Sequence, residues 1–326
     1  NNFENFVITI AFKIIFDLIC LSIKIYKYPK LSKVQGSMNN KNFALITPSY
    51  PPDFERCRLL CQSVEKYIDP SINHYIVVEK RDLDLFRQLE RQNTKILIVE
   101  SFIPWWIRRI PLVQKSWVSL KTIPVRNWIM QQIVKIAVAQ QIDEEISVMV
   151  DSDVAFIRPF NSQHIVRDGK IRLFCDRQGN EIQRQWHYKW HKSASRLLGL
   201  PDVDPAIPDY IGHVISWKRQ NVIAMCEHLE KVSGKPWMET LFNSWHLSEF
   251  VLYGIFVEKI LKDKSSHYFE SENLCHDYWF TESLSEEALK QFFQGIRPEQ
   301  IAIMISAKSG MSTLEYSDLV EQMRYA

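Results

Sequence analysis

The chain has 326 residues, 46% hydrophobic and 24% charged, with a formal net charge of +2. This is the composition of a globular protein with a real core, and the near-neutral balance gives no field of the kind that attracts nucleic acid. Six cysteines in a chain this long form neither a disulfide framework nor a zinc-type spacing, so they read as reduced thiols of a cytoplasmic protein.

Residues 3–25 are dense in Phe, Ile, Leu and Val, yet they carry Glu4, Lys13, Asp17 and Lys24. A membrane-spanning helix rarely tolerates charge at that frequency. On a helical wheel Thr9, Lys13, Asp17, Lys24 and Lys27 fall on one side. The pattern predicts an amphipathic helix with a broad apolar face, followed by Lys30 and Lys33. Two occupants of that face stay open: an anionic membrane surface, with the protein peripheral on the inner leaflet, or a protein surface, either the body of this chain or a partner chain. A signal peptide would need a cleavage site of small residues, and none follows. The polar run 33–41 is a linker, so helix and linker are assigned residues 1–36.

Asn42–Thr47 is a short apolar run stopped by Pro48-Ser-Tyr-Pro-Pro52, a buried strand ending in a rigid loop. Residues 53–68 have helical periodicity, with Asp53 as N-cap. Tyr75–Val78 is a second strand, Leu83–Arg91 a second helix and Lys95–Val99 a third strand. The alternation predicts an α/β fold with a mainly parallel, Rossmann-like sheet flanked by helices. Residues 101–124 break the rhythm with three prolines. There Trp105, Trp106 and Trp117 stand among Arg108, Arg109, Lys115 and Lys121, a mixture suited to a membrane interface. Val125–Ile142 returns to helical spacing, and Ile146–Val150 is a fourth strand. Further on, Ile171–Phe174 and His213–Trp217 read as strands, and Asn221–Val232 and Leu247–Leu261 as helices. The expected domains are residues 37–285, and a C-terminal extension, 286–326, packed on them.

The strongest chemical signal is Asp151-Ser152-Asp153, placed directly after the fourth strand. Carboxylates at i and i+2 past a strand end reach one hard cation, Mn²⁺ or Mg²⁺, which keeps positions open for phosphate. A cation there neutralises charge developing on a leaving diphosphate. A solvated turn with incidental acids is the alternative.

Four segments together resemble the GT-A-type nucleotide-sugar glycosyltransferases, in particular a bacterial group within that superfamily. They are Phe43-Ala-Leu-Ile-Thr-Pro-Ser-Tyr50, Arg126-Asn-Trp-Ile-Met-Gln-Gln-Ile-Val-Lys135, Val150-Asp-Ser-Asp-Val-Ala-Phe-Ile157 and Ser248-Glu-Phe-Val-Leu-Tyr-Gly254. The resemblance spans about residues 42–280. It implies a GT-A fold, a nucleotide-diphosphate sugar donor, a divalent metal and a glycan or lipid-linked acceptor. It places Thr47, Pro48 and Tyr50 around base and ribose, and it suggests His276 as a late histidine completing the metal shell of Asp151 and Asp153.

Other positions follow from their local chemistry. Asp53 or Arg56 adds a polar contact to the donor where a helix begins; for Asp53, simple capping stands beside that reading. Gln131 and Lys135 share a helix face at i, i+4, as Gln132 and Lys135 do at i, i+3. Lys135 on so apolar a helix pairs with Asp151 or Asp153, reaches donor phosphate, or snorkels out to water. Glu249 near a helix start is a general base for the acceptor hydroxyl, with dipole stabilisation or capping as the alternative. Tyr253, Trp186, His187, Tyr210 and Gly212 are assigned to the acceptor side, where rings stack on sugar faces. Three rival readings remain: a haloacid-dehalogenase-like phosphatase, disfavoured by Ala155 and by three preceding strands; a nucleotidyltransferase, disfavoured by Pro48-Ser-Tyr-Pro-Pro52 where a Gly-rich basic loop is usual; and a catalytically inactive sugar-nucleotide-binding or scaffold protein.

Overall fold

Phe43–Pro48 (β1) is buried at every position, and a strand apolar on both faces has to lie inside a sheet covered on both sides. The computed structural model describes residues 42–109, 116–177, 181–201 and 208–323. After β1 come α1 (Phe54–Tyr67), β2 (Asn73–Val78), a single helical turn α2 (Leu83–Phe86) and β3 (Thr94–Ile98). Three short strands follow, β4 (Ile107–Arg108), β5 (Ser116–Ser119) and β6 (Val125–Arg126), then α3 (Asn127–Gln141), β7 (Ile146–Val150) and β8 (Val154–Phe156). The second half comprises β9 (Val166–Arg167), β10 (Lys170–Phe174), α4 (Glu181–Leu197), β11 (Val214–Lys218), α5 (Arg219–Ser233), α6 (Trp237–Phe242) and α7 (Glu249–Ile255). It ends with β12 (His267–Glu270), β13 (Cys275–Tyr278), α8 (Glu286–Gln294), β14 (Ala302–Ile305) and α9 (Ser317–Gln322).

The central sheet has the order β11-β7-β1-β2-β3. β7, β1, β2 and β3 are parallel and β11 closes the sheet antiparallel to β7. The chain winds outward from β1 to β3 and then returns to β7 on the other side of β1. That reversal is the topological switch point, where a crevice opens beyond the carboxyl ends of β1 and β7. Alternation along the strands divides the core between the two faces. Ala44, Ile46 and Met149 join the cluster that includes α3 and α7, while Phe43, Leu45 and Val148 join the one under α1. α3 is buried almost all round, as a helix held between a sheet and further helices should be.

Three elements differ from the sequence expectation. The predicted helix 83–91 is one α-turn continued by a 3₁₀ turn, Arg87–Leu89. The proline-rich stretch carries the antiparallel trio β4-β5-β6. α4 includes Trp186–His191 and spans 17 residues; its inward stripe runs through His187, Trp190, His191, Ala194 and Leu198, so histidines hid the helical period. Residues 1–36 lie outside the described residues. Late in the chain, β14 pairs with both β13 and β8, so residues 302–305 are part of a sheet that begins beside Asp153. Among the described residues no helix is long and apolar enough to cross a membrane.

The close fit of α7 is a test of this packing. A Cβ on Gly254 would lie 2.3 Å from the ring of Tyr210. Tyr210 is 1% exposed and its hydroxyl donates to Glu258, so the ring has nowhere to go. Gly→Ala inside a helix normally gains about 1 kcal/mol, whereas overpacking costs about 1–3 kcal/mol. Gly254→Ala is therefore expected to lower the urea midpoint; an unchanged or higher midpoint would refute the contact.

Candidate active site

β7 delivers Asp151 to the switch point as its backbone leaves the sheet, and β8 takes the chain away after Asp153. Ser152 between them turns its hydroxyl toward Asp53, 3.5 Å away. Asp53 comes from the loop after β1. A 3₁₀ turn, Pro51–Asp53, carries it, and its side chain makes no cap hydrogen bond to α1. The capping expectation for Asp53 therefore fails, and its carboxylate belongs with Ser152 and Asp153 instead.

Lys135 is the centre of the arrangement. Its Nζ lies 2.8 Å from Asp151 Oδ1 and 2.9 Å from Glu249 Oε1. The lysine side chain is 7% exposed and that of Glu249 5%, while Asp151 keeps 36% open to the crevice. Gln132, one turn earlier on α3, accepts a hydrogen bond from the Glu249 N–H at 3.1 Å, and Ser248 caps α7 by accepting from the Val251 N–H. Of the two glutamines, Gln132 is thus the one tied to Glu249, and Gln131 is only half-buried. Snorkelling of Lys135 is excluded by its burial.

The electrostatics follow from these positions. Burial alone would lower the Lys135 pKa, but the charges of Asp151 and Glu249 overrule it and hold the ammonium above the usual lysine value. Burial would raise Asp151; Lys135, with help from His213, draws it below the ordinary carboxylate value instead. Asp153 has no such cation. Burial and the Asp151 charge raise it, and it accepts from the Ala307 N–H at 3.2 Å, in the turn after β14. Asp53 is raised to about 6 by burial and then by Asp153. The crevice holds an excess of negative charge on its Asp53–Asp153 side.

His213 and Asp277 also face this edge, and neither was singled out as a metal-side group from sequence. His213, at the start of β11, is 2% exposed, and its Nε2 is 3.5 Å from Asp277 Oδ2. That is an ion-pair distance too long for a well-formed hydrogen bond, and among the described residues neither ring nitrogen has a hydrogen-bond partner. The Trp279 ring lies on the imidazole at 4.6 Å. Successive residues of a strand face opposite ways, so β13 turns Asp277 toward His213 and turns His276 away. His276, expected in the metal shell, packs on Phe292 at 4.4 Å.

Other expectations resolve residue by residue. Thr47 is fully buried, and its hydroxyl bonds His74 Nε2 at 2.9 Å; Pro48 is buried at the end of β1. Tyr50 is 40% exposed and within the field of Asp53 and Asp153. Arg56 donates to the Met311 carbonyl and influences Asp53. Tyr253 does not face the acceptor side: it is 0% exposed, its hydroxyl accepts from the Lys218 N–H at 2.9 Å and meets His267 Nε2 at 2.8 Å. Tyr210 and Gly212 are buried as well. The side chain of Trp186 lies outside the described residues. His187 pairs with Asp209 at 3.1 Å and stacks on Trp190 at 4.8 Å, and Trp190 lies 5.6 Å from Trp128. Trp128 and Trp245 are both more than 40% exposed. Arg126 lies 4.4 Å from the Trp245 ring, which places Trp245 beside the start of α3.

In the Trp105–Lys121 stretch two of the three tryptophans turn inward. Trp106 and Trp117 are 6% and 1% exposed, and Trp106 packs edge-on against Phe242. Arg109 pairs with Glu79 and covers Trp117. Two of the three tryptophans are core residues. The partner helix of the membrane expectation, 3–25, lies outside the described residues.

A family model described as "Family of unknown function (DUF6492)" matches residues 43–323. No curated protein matches the sequence. Among solved structures the chain is similar to the WbbM bifunctional glycosyltransferase in its apo form, at 10% identity and a TM-score of 0.50. The match covers 89% of this chain and 50% of WbbM, so the chain spans half the length of that protein. It is also similar to the galactosyltransferase LgtC in complex with donor and acceptor sugar analogs, at 10% identity, a TM-score of 0.46 and coverage of 86% and 95%. An active-site mutant of LgtC aligns at 11% identity and a TM-score of 0.45, with the same coverage. At these identities the likeness is one of fold, the GT-A type.

The ion triad makes a direct prediction. Replacing one partner of a buried charge cluster strands the others, at a cost of about 3–5 kcal/mol. Lys135→Met is expected to destabilise the protein by that order in urea denaturation, and adding Glu249→Gln should recover part of the loss. A cost below about 1 kcal/mol, the worth of an exposed pair, would contradict the burial of the triad.

Proposed function

Since this chain belongs to the DUF6492 family and has a GT-A-type fold, we propose that it is a metal-dependent glycosyltransferase. It moves a sugar from a nucleotide-diphosphate donor to the hydroxyl of a glycan or lipid-linked acceptor. The observation that carries the reading is the gathering of Asp151, Asp153 and Asp53 at the switch point, with the buried Lys135 spent on Asp151 and Glu249.

The donor set fits a hard divalent cation, Mn²⁺ or Mg²⁺. The residues are carboxylates, and burial and mutual repulsion raise two of them, which is the strain that a cation relieves. Among the described residues no group of three or more His, Cys, Asp or Glu forms a ready cage. A cation there takes donor phosphate oxygens and water as further ligands. Asp151 and Asp153 would hold it, and His213 and Asp277 face the same edge. When bound, the cation neutralises charge on the departing diphosphate.

The chain's own groups do the remaining work. Tyr50, exposed beside β1, takes the base. The exposed rings of Trp128 and Trp245, with His187 and Trp190, offer apolar faces to acceptor sugars. Glu249, expected from sequence to be the base, is buried against Lys135. That position suits a positioning residue: Glu249 and Lys135 hold Asp151 ionised and aimed into the crevice.

Two variants test these assignments. Asp153→Asn should abolish Mn²⁺-dependent hydrolysis and binding of a nucleotide sugar without unfolding the protein; unchanged metal dependence would end the metal assignment. Glu249→Gln separates the two roles of Glu249. As an anchor, it weakens donor binding and shifts the metal requirement. As a base, it leaves donor binding intact and lowers transfer about 10²–10⁴-fold.

A further inference from the structure

A cavity of about 500 Å³ opens among Arg158, Arg167, Arg172, His164 and Tyr268. It lies away from the crevice just described. Arg158 follows β8 on the side opposite Asp153, and two residues later Phe160 bridges to Ile68, just past the end of α1. Phe160 also packs edge-on against Phe43, at the amino end of β1. Asp53 stands at the other end of α1, so the 14-residue helix puts roughly 20 Å between the two places at 1.5 Å per residue.

Three arginines and three glutamates line the cavity, and Arg297 behind them adds a fourth cation. Three carboxylates line it, Glu270, Glu272 and Glu299, and each is already engaged. Arg167 takes Glu270 at 3.3 Å, and Arg297 takes both Glu272 and Glu299 at 2.9 Å. Arg158 donates to the carbonyls of Arg297 and Gln300. Arg172 is 5% exposed, and among the described residues its guanidinium donates to the carbonyl of Glu272 and forms no ion pair with a carboxylate. Burying a cation without a counter-ion is expensive, and a guanidinium has five donors in a fork suited to oxyanions. The Arg167 guanidinium sits over the Tyr268 ring, 4.5 Å from its centre, which places a second guanidinium at the rim.

We propose that this cavity binds a small organic phosphate, with Arg172 as the buried anchor and Arg167 and Arg158 at the mouth. The volume suits a molecule of sugar-phosphate size and exceeds what an inorganic ion fills. Glu270 and Glu272 act on Arg172 only from beyond ion-pair distance, and the oxyanion supplies the direct partner. Arg and oxyanion meet through paired N–H···O bonds.

The test uses the full chain in EDTA, so that no metal supports the donor crevice. Ribose 5-phosphate and inorganic phosphate are titrated by calorimetry. Saturable binding of ribose 5-phosphate, tighter than inorganic phosphate, is expected. Arg167→Ala should weaken it about tenfold or more, a loss of one charge-assisted contact, and Arg172→Met should remove it. Asp153→Asn should bind as the unaltered protein does. Should Arg172→Met fail to fold, Arg167→Ala on the exposed rim still decides. The proposal is overturned by absence of saturable binding at millimolar ligand, or by binding that survives Arg167→Ala and is lost in Asp153→Asn.

Discussion

One ammonium group organises the candidate site. Lys135 Nζ stands between Asp151 and Glu249, and those three residues come from α3, from the end of β7 and from the start of α7. Two anions around one cation leave the triad with a net negative charge in a place where water is scarce. Such a cluster holds only if geometry is tight, and the tightness is supplied locally: Gln132 receives the Glu249 N–H, and Ser248 caps the helix that carries Glu249. The result is a carboxylate, Asp151, that is fixed in direction and still open to the crevice.

The neighbouring carboxylates show what the lysine does by contrast. Asp151 is drawn down because a cation touches it, and Asp153, two residues on, is pushed up by burial and by the Asp151 charge. The same turn therefore presents one firmly ionised group and one poised for a partner. His213 extends the pattern: its buried ring faces Asp277 at 3.5 Å without a proper hydrogen bond, and Asp277 accepts from the Trp279 indole N–H at 2.6 Å. Polar groups that are buried and incompletely satisfied are costly, and they concentrate here at the edge where an open α/β sheet binds its ligands.

Much of this was legible in the sequence because the central strands announce themselves. β1, β2, β3 and β7 are continuous apolar runs bounded by turn residues, and Asp-Ser-Asp falls directly on the end of one. Lys135 was legible as a paired lysine because its helix offered no polar face. Its second partner was not, since Glu249 lies 114 residues away and no local signal links them. The choice between His276 and Asp277 depends on which face of β13 meets β11, and that is decided by strand register. α4 escaped notice because its inward stripe is made of His187, Trp190 and His191. The tryptophans at 106 and 117 read as interfacial because residue type alone cannot separate a core ring from a surface one.

The contact between the Ala307 N–H and Asp153 joins residues 154 positions apart, and Arg56 reaches Met311 across 255. The crevice is thus bordered by the loop after β1 and by the turn after β14. On a ribosome the strands that aim Asp151 emerge long before the segment that partners Asp153. Contacts of such separation carry a large loop-closure cost and form late, so the nascent chain holds an unfinished, acid-rich edge until the turn after β14 arrives. A polypeptide interrupted before residue 307 lacks the backbone donor that Asp153 uses.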